Sequence, residues 1–404
     1  MNILYLCHRF PYPPKRGGKI RPFNMIRHLH GRGHRVTVCS LARSQEEFEQ
    51  AQGIAAYCDA FEIARVREPA QWARMVARLP SPTPSSMGYF YSADLARAVQ
   101  RHLAQQRWDL IFVHCSSVAQ YVQHVTDVPK VLDFGDMDSQ KWLEYANYKP
   151  FPLSLGYWYE GRKMLAAEKR LARRFDVCTA TTRAEWQTLQ DYATGAATDW
   201  FPNGVDAEYF APTDGAYDVN MLSFVGRMDY YPNQECMQRF CREAWPLLKQ
   251  QRPVLKLAIV GADPSPAIRA LGELPGVTVT GSVPDVRPHV RSSAAMVAPL
   301  AIARGTQNKI LEAMALGVPV VTSSIAAGGV DAEAGRHLIV ADSVEQQVGA
   351  ILRVLDDAGE RMRLAQAGRA RVLTHHAWAR SMQRLDGIID DCLGRFDRSR
   401  LALA

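Results

Sequence analysis

Short runs of aliphatic and β-branched residues recur along the chain, each followed by a longer stretch in which apolar positions return every three or four residues. The first pattern predicts strands buried on both faces, the second amphipathic helices, and their alternation predicts βα units around parallel sheets. In the first half strands are expected over Asn2–His8, His34–Ser40, Ala60–Ala64, Leu110–Cys115, Lys130–Phe134 and Val177–Thr181. A second series follows over Met221–Val225, Leu255–Val260, Val277–Thr280, Ala295–Pro299, Val318–Thr322 and His337–Val340. Between them, Phe201-Pro202-Asn203-Gly204-Val205-Asp206 and Ala211-Pro212-Thr213-Asp214-Gly215 are rich in turn formers and read as a linker. The expected architecture is α/β, with two Rossmann-like doubly wound domains over residues 1–212 and 213–404 and a final helix able to return to the first. Open sheets of this kind bind ligands beyond the carboxyl ends of their strands, which places the function in a central cleft that the two halves face.

Composition agrees with two ordinary cores: 404 residues, 47% hydrophobic and 22% charged. No repeat or low-complexity tract interrupts the pattern. The segment Leu79-Pro80-Ser81-Pro82-Thr83-Pro84-Ser85-Ser86 reads as a surface loop, and the aromatic-rich stretch from Tyr145 to Trp158 as an irregular segment, either an acceptor-facing lid or a loop packed on the domain edge. The eight cysteines form no C-x-x-C pair and several lie in strand-like runs, which favours reduced core thiols over zinc ligands or disulfides. The opening residues lack the features of a signal peptide, and the longest uncharged stretch, Ala313 to Val330, contains Pro319 and two adjacent glycines. A cytoplasmic protein is expected, peripheral at most to the inner face of the cell membrane.

The net charge of +7 is unevenly placed. Residues 1–200 hold 26 basic and 19 acidic side chains while the remainder holds 22 of each, and nine Lys or Arg precede the first acid, Glu46. The first half therefore suits an anionic partner. Ala166 to Arg174 adds a basic helix whose Met164, Leu171 and Phe175 share an apolar face; its charged face is either solvated or rests on lipid headgroups. No nucleic-acid motif accompanies the modest basic excess, so nucleic acid is not an expected partner.

Two βα junctions carry candidate chemistry. The first reads Arg9-Phe10-Pro11-Tyr12-Pro13-Pro14-Lys15-Arg16-Gly17-Gly18-Lys19. Gly17 and Gly18 would let backbone N–H groups approach a phosphate at a helix start, or simply form a basic turn; the segment is not G-x-G-x-x-G, which disfavours a dinucleotide cofactor. The second runs from Pro299 through Arg304-Gly305-Thr306-Gln307-Asn308-Lys309 into a helix carrying Glu312. Lys309 in a first helical turn works against the helix dipole unless an anion binds there, and a diphosphate is the economical explanation. Glu312 lies on the same face, able to accept from ribose hydroxyls or to form a solvated pair with Lys309.

With these residues in place, the chain resembles family 4 of the GT-B glycosyltransferases, in which a loop and a helix ending in Glu-Ala-Met-Ala-x-Gly-x-Pro-Val hold the donor; here that stretch is Glu312 to Val320. Gly17-Gly18, Pro202-Asn203-Gly204-Val205-Asp206 and Phe224-Val225-Gly226-Arg227-Met228 agree in order and spacing, and the match spans essentially the whole chain. More narrowly, His8 to Lys15, Asp138-Ser139-Gln140-Lys141-Trp142 and Met228 to Asn233 resemble sugar transferases associated with bacterial exosortase and exopolysaccharide loci. The resemblance implies a GT-B fold and a retaining, metal-independent hexosyltransferase without a cofactor. Its co-substrate would be a UDP- or GDP-linked sugar, and its acceptor a saccharide or lipid-linked saccharide.

By residue, the resemblance implies catalytic His114, Lys309 and Arg227, with His114 close to the donor sugar at the end of the fourth strand. Donor contacts would come from Gly17, Gly18, Gly226, Arg304, Gly305, Thr306, Gln307, Asn308 and Glu312. Asp136, Asp138 and Lys141 are candidate acceptor contacts; Asp136-Met137-Asp138 mimics a D-x-D metal motif, but acceptor contact or helix capping is the expected use, and no metal site is expected. Two departures stand out: Arg304 occupies the place of a sugar-binding glutamate common in the family, and Tyr231-Pro232-Asn233 the region of a common lysine. A sugar-nucleotide epimerase or a non-catalytic nucleotide-sugar-binding subunit would share the fold.

Overall fold

The computed structural model of the chain describes residues 1–14, 17–66 and 68–403, the side chains of Ser399, Ala402 and Leu403 excepted. It divides into two compact units, Met1–Phe201 with Met382–Ala404, and Pro202–Ser381. The turn-rich segment after Phe201 belongs to the second unit, where Val205 pairs with Ala377 and Ala211 O accepts from Arg291 Nε at 3.0 Å.

The first unit is built on seven parallel strands: β1 (Asn2–Cys7), β2 (Arg35–Ala42), β3 (Ala60–Arg65), β4 (Leu110–His114), β5 (Lys130–Asp133), β6 (Val177–Ala180) and β7 (Ala197–Trp200), in the order β3-β2-β1-β4-β5-β6-β7. Ile3 to Cys7 and Leu110 to Val113 are all fully buried, as continuous apolar runs in a doubly covered parallel sheet should be. The second unit repeats the plan with β8 (Asp218–Val225), β9 (Lys256–Val260), β10 (Val277–Gly281), β11 (Ser293–Ala298), β12 (Val320–Thr322) and β13 (Ile339–Val340), ordered β10-β9-β8-β11-β12-β13. In each sheet the chain leaves the first strand toward one side and reaches its other neighbour from the opposite side. The loops after β1 and β4, and after β8 and β11, therefore part and leave a crevice at the carboxyl edge.

The strand β7 has no counterpart in the sequence pattern: only Trp200 of its four residues is buried, so no alternation marks it. The stretch Tyr145–Trp158 is not an irregular lid or edge loop. It is mostly helical, split between Asp138–Tyr148 and Leu153–Ala172. Tyr157 packs against Trp142 and Tyr145, with ring centroids 5.3 and 6.0 Å apart, and a Cβ at Gly161 would lie 2.8 Å from Leu143 Cγ, so a small residue lets the two helices close on each other. The proline-rich loop also ends earlier than expected, because Ser85–Tyr89 forms a short helix with Ser85, Met87 and Gly88 buried. Met164, Leu171 and Phe175 are buried as the helical spacing requires, and all eight cysteines are buried and free. Among the described residues no helix is long and apolar enough to cross a membrane.

Candidate functional site

In the second unit the crevice is built around Lys309, in the first turn of the helix Asn308–Ala315. Its Nζ donates to Asn233 Oδ1 at 2.5 Å and lies 4.5 Å from the centroid of the Phe224 ring. Asn233 Nδ2 donates to Arg227 O at 2.8 Å, which turns the amide so that its oxygen faces the ammonium. Gly226 makes room for both: a Cβ there would lie 2.6 Å from Asn233 Nδ2 and 3.2 Å from Lys309 Nζ. Among the described residues no carboxylate lies within ion-pair distance of Lys309. Burial draws its pKa down to about 8, while burial raises that of Glu312, farther along the same helix, to about 7.

The loop entering this helix is held close to its surroundings. Gly305 adopts a φ of 62°, and a Cβ at Gly329 would stand 2.1 Å from Gly305 O. Gln307 occupies the N-cap position without a side-chain capping bond; its Nε2 instead donates to Arg304 O at 3.0 Å. Thr306 Oγ1 and Asn308 Oδ1 are buried and make no hydrogen bond among the described residues. A helix start with uncapped N–H groups, a nearby ammonium and unsatisfied side-chain polar atoms is suited to an oxyanion.

Arg227 does not join this group as a free cation. Its Nε and Nη2 reach Asp229 Oδ1 and Oδ2 at 2.9 and 2.5 Å, and Nη2 reaches Asp263 Oδ2 at 2.8 Å. Two carboxylates thus offset the charge of a residue that the resemblance names as catalytic. Arg304 is exposed.

In the first unit, register places His114, the last residue of β4, beside both Cys7 and Asp133. His114 Nδ1 lies 2.7 Å from Asp133 Oδ2. Arg21 grips the same carboxylate through Nε and Nη2, each at 2.9 Å, and Thr179 Oγ1 donates to it at 2.9 Å. The third Arg21 nitrogen donates to Phe201 O at 3.0 Å, and the guanidinium stacks 3.7 Å from that ring's centroid. Burial alone would raise the Asp133 carboxyl; the Arg21 charge and the bonds from His114 and Arg21 overcome it and hold the group well below the usual carboxylate range. An ionised carboxylate only accepts, so His114 must carry its proton on Nδ1, leaving Nε2 for other contacts.

Two further details fix that imidazole. Cys115, directly after His114, has a φ of 84° and donates its N–H to Asp133 O at 2.8 Å, while Gly135, with φ 68°, would bring a Cβ to 3.3 Å from His114 Cε1. The His8 ring centroid stands 6.0 Å from that of His114, and burial, with Arg9 and His114 adding to it, holds His8 well below its ordinary pKa.

Residues 16–209 match the family described as Glycosyltransferase Family 4, and residues 219–357 the family described as Glycosyl transferases group 1. Both halves are glycosyltransferase domains of the GT-B class. No curated protein matches the sequence. Among solved structures, sucrose-phosphate synthase from Thermosynechococcus elongatus is 16% identical, with all of both chains covered and a TM-score of 0.69. HepE from Anabaena, solved with UDP-glucose, is 15% identical over 96% of this chain and 99% of its own, with a TM-score of 0.67. TarM from S. aureus is 9% identical over 98% of this chain and all of its own, with a TM-score of 0.66. These likenesses establish the fold.

The glycosyltransferase places its other sequence candidates less uniformly. Gly17 opens the helix Gly17–Gly31, and among the described residues a Cβ at Gly18 would meet the Arg9 side chain at 3.6 Å; Lys15 and Arg16 of that motif lie outside the described residues. Asp136 is exposed. Asp138 is not the cap of its helix, since Met137 holds that position and Asp138 sits in the first turn, 3.9 Å from Lys141 Nζ. A lysine beside one carboxylate of the D-x-D pair opposes a second cation there, and among the described residues no three His, Cys, Asp or Glu side chains gather as metal ligands.

Sequence reasoning passed over three residues of these clusters. Asp133 and Arg21 lie far apart along the chain, one in an apolar strand and one in a helix, and nothing in spacing joins them. Asn233 was visible as the end of a resembling motif and as a departure from a family lysine, but not as the residue that clasps Lys309.

Proposed function

We propose that this glycosyltransferase moves a hexosyl group from a nucleotide-diphosphate sugar to a saccharide acceptor, retaining the anomeric configuration. The observation that carries the reading is Lys309: a half-buried ammonium at a helix start, held by a neutral amide and an aromatic face, with no carboxylate within ion-pair distance among the described residues. The departing diphosphate supplies the missing negative charge, and fixed donors aimed at it stabilise the transition state. Glu312 accepts from donor hydroxyls, and Gly305, Thr306, Gln307 and Asn308 line the phosphate side. His114, locked by Asp133, presents Nε2 to the transferred sugar, orienting it or stabilising positive charge at C1. Asp136, Asp138 and Lys141 serve the acceptor.

HepE, solved with UDP-glucose, makes a UDP-linked sugar the first donor to test, with a GDP-linked sugar the second. The charge excess of the first half supports an anionic, lipid-linked acceptor, and the motifs around His8, Asp138 and Met228 support a role in exopolysaccharide assembly. The test is acceptor-dependent release of nucleoside diphosphate, with the product's anomeric coupling read by proton NMR. Release that needs acceptor, with retained configuration, is expected; isomerised sugar nucleotide formed without acceptor would instead identify an epimerase.

Two outcomes follow. Leaving-group stabilisation by Lys309 and the helix terminus needs no divalent ion, so EDTA should leave the initial rate unchanged; loss of rate, restored by Mg²⁺ or Mn²⁺, would contradict this. Gly226→Ala should push Asn233 and Lys309 apart and weaken nucleoside diphosphate binding by roughly tenfold, the cost of about one charged hydrogen bond. Calorimetric titration of the variant measures it.

A further inference from the structure

The first unit carries a solvent-exposed apolar ridge that the glycosyl-transfer chemistry does not use. In the turn before the helix Leu153–Ala172, Phe151 is 80% exposed, and Leu153, Leu155, Trp158 and Tyr159 continue the exposure along the helix's first two turns. Farther along the same exposed stripe the residues are Arg162, Arg170 and Arg173. None of these arginines forms an ion pair among the described residues.

The acids of this segment point the other way. Glu160 accepts from the Ser85 and Ser86 backbones at 3.1 and 2.8 Å, and Glu168 accepts from Ser139 N at 2.9 Å, both buried. Both carboxylates from Tyr148 to Arg174 are thus turned inward, while Phe151, Leu153, Leu155, Trp158, Tyr159 and most of the basic side chains face out; Met164 and Leu171 of the same helix pack into the core. A second strip adjoins the first. Trp72, Val76 and Leu79 are exposed at helical spacing on and just after the helix Glu68–Ala77. Lys163 Nζ lies 3.5 Å from Leu79 O and 5.0 Å from the Tyr159 ring centroid, which joins the two strips.

We propose that this ridge docks the enzyme on an anionic lipid bilayer, with Phe151, Leu155 and Trp158 in the headgroup–acyl boundary and Arg162, Arg170 and Arg173 on lipid phosphates. Charge complementarity selects this occupant: a saccharide would gain from the aromatic rings but not from the unpaired arginines, and a second copy of the chain would have to bring its own arginines against them. Aromatic and aliphatic side chains beside a basic stripe have the composition of interfacial segments. The inference deepens the reading of a lipid-linked acceptor and rests on it for its purpose, but binding is measurable with neither donor nor acceptor present.

The experiment is co-sedimentation of the full chain with sucrose-loaded vesicles of phosphatidylcholine alone, or with about one-third phosphatidylglycerol, at low and high salt. Binding to the anionic vesicles is expected, weakened by salt. It should fall roughly fivefold for each of Arg162→Gln, Arg170→Gln and Arg173→Gln. Phe151→Ser and Trp158→Ser should weaken it at either salt concentration, and unchanged circular dichroism would show these surface variants folded. Failure of the wild type to pellet with anionic vesicles, or pelleting indifferent to both sets of variants, would overturn the proposal. A concentration-dependent dimer abolished by Trp158→Ser, without vesicle binding, would overturn it in favour of self-association. Any of these failures leaves acceptor-dependent nucleotide release intact if only the docking is wrong.

Discussion

Lys309→Ala is expected to slow glycosyl transfer by roughly ten- to a hundredfold, the loss of a charge-assisted contact of ~1.5–3 kcal/mol, while leaving the ligand-free protein as stable as before or more so. Both halves of this expectation follow from one geometry. Without ligand, the ammonium has Asn233 Oδ1 and the Phe224 ring for company, and burial lowers its pKa from the ordinary 10.5 to about 8. Between those values the unfolded chain holds a proton that the folded chain has released, so this site favours folding increasingly as pH rises from about 8 to 10.5 and costs stability below about 8. A bound diphosphate inverts the balance by favouring the charged form. Nucleoside diphosphate affinity should therefore decline as pH rises through and above 8 in the wild type, and lose that component of its pH dependence in Lys309→Ala. Calorimetric titrations at pH 7 and 9, with thermal melts of both proteins, measure all three expectations. A variant with wild-type turnover would remove Lys309 from the mechanism.

Arg21→Ala should destabilise the first unit by about 3–5 kcal/mol, because it strands a fully buried carboxylate. Asp133 is inaccessible to solvent and relies on both arms of Arg21, His114 and Thr179. Its folded pKa is depressed, so its contribution is present above the ordinary carboxylate range and is lost as pH falls through the folded value. Without Arg21 the folded pKa rises, and acid unfolding of the variant should begin at higher pH. Hydrogen exchange of the β4 and β5 amides in urea reads the loss locally. The double variant Arg21→Met/Asp133→Leu should recover much of it, since replacing both partners leaves no buried charge. Under the proposed role of His114, catalysis should not recover with it: without Asp133 nothing fixes the proton on His114 Nδ1, and the proposed Nε2 contact with the sugar loses its orientation. A single variant as stable as the wild type would show that the carboxylate finds water or another donor.

What the sequence revealed follows the physics of each element. The central strands were legible because both faces are buried, which makes them continuous apolar runs; β7 was not, because only Trp200 of it is buried. The loop into the helix Asn308–Ala315 was legible because small polar residues between an apolar strand and an amphipathic run mark a strand-to-helix junction. The helical pair around Tyr157 was misread because Pro150, Pro152 and Gly156 are local turn signals; the two prolines act only in the four residues between the helices, Gly156 is accommodated within the second, and the helices close on each other at Gly161 and Leu143. Arg227 shows the opposite failure. The resemblance names it as catalytic, but Asp229 and Asp263 pair with it, and the second of these comes from the loop after β9, beyond any local pattern. His114 could be placed at a strand end, but its tautomer depends on Asp133, a neighbour supplied by sheet register.

The most direct test of the central claim, that the crevice around Lys309 receives the diphosphate of a nucleotide sugar, is a thermal-shift titration of the wild-type chain with UDP, GDP and their parent nucleosides at pH 7. One diphosphate at a hundredfold excess over its dissociation constant should add ~2.7 kcal/mol of stability, and its nucleoside far less. No shift with any nucleoside diphosphate, or an equal shift with the nucleoside alone, would contradict it.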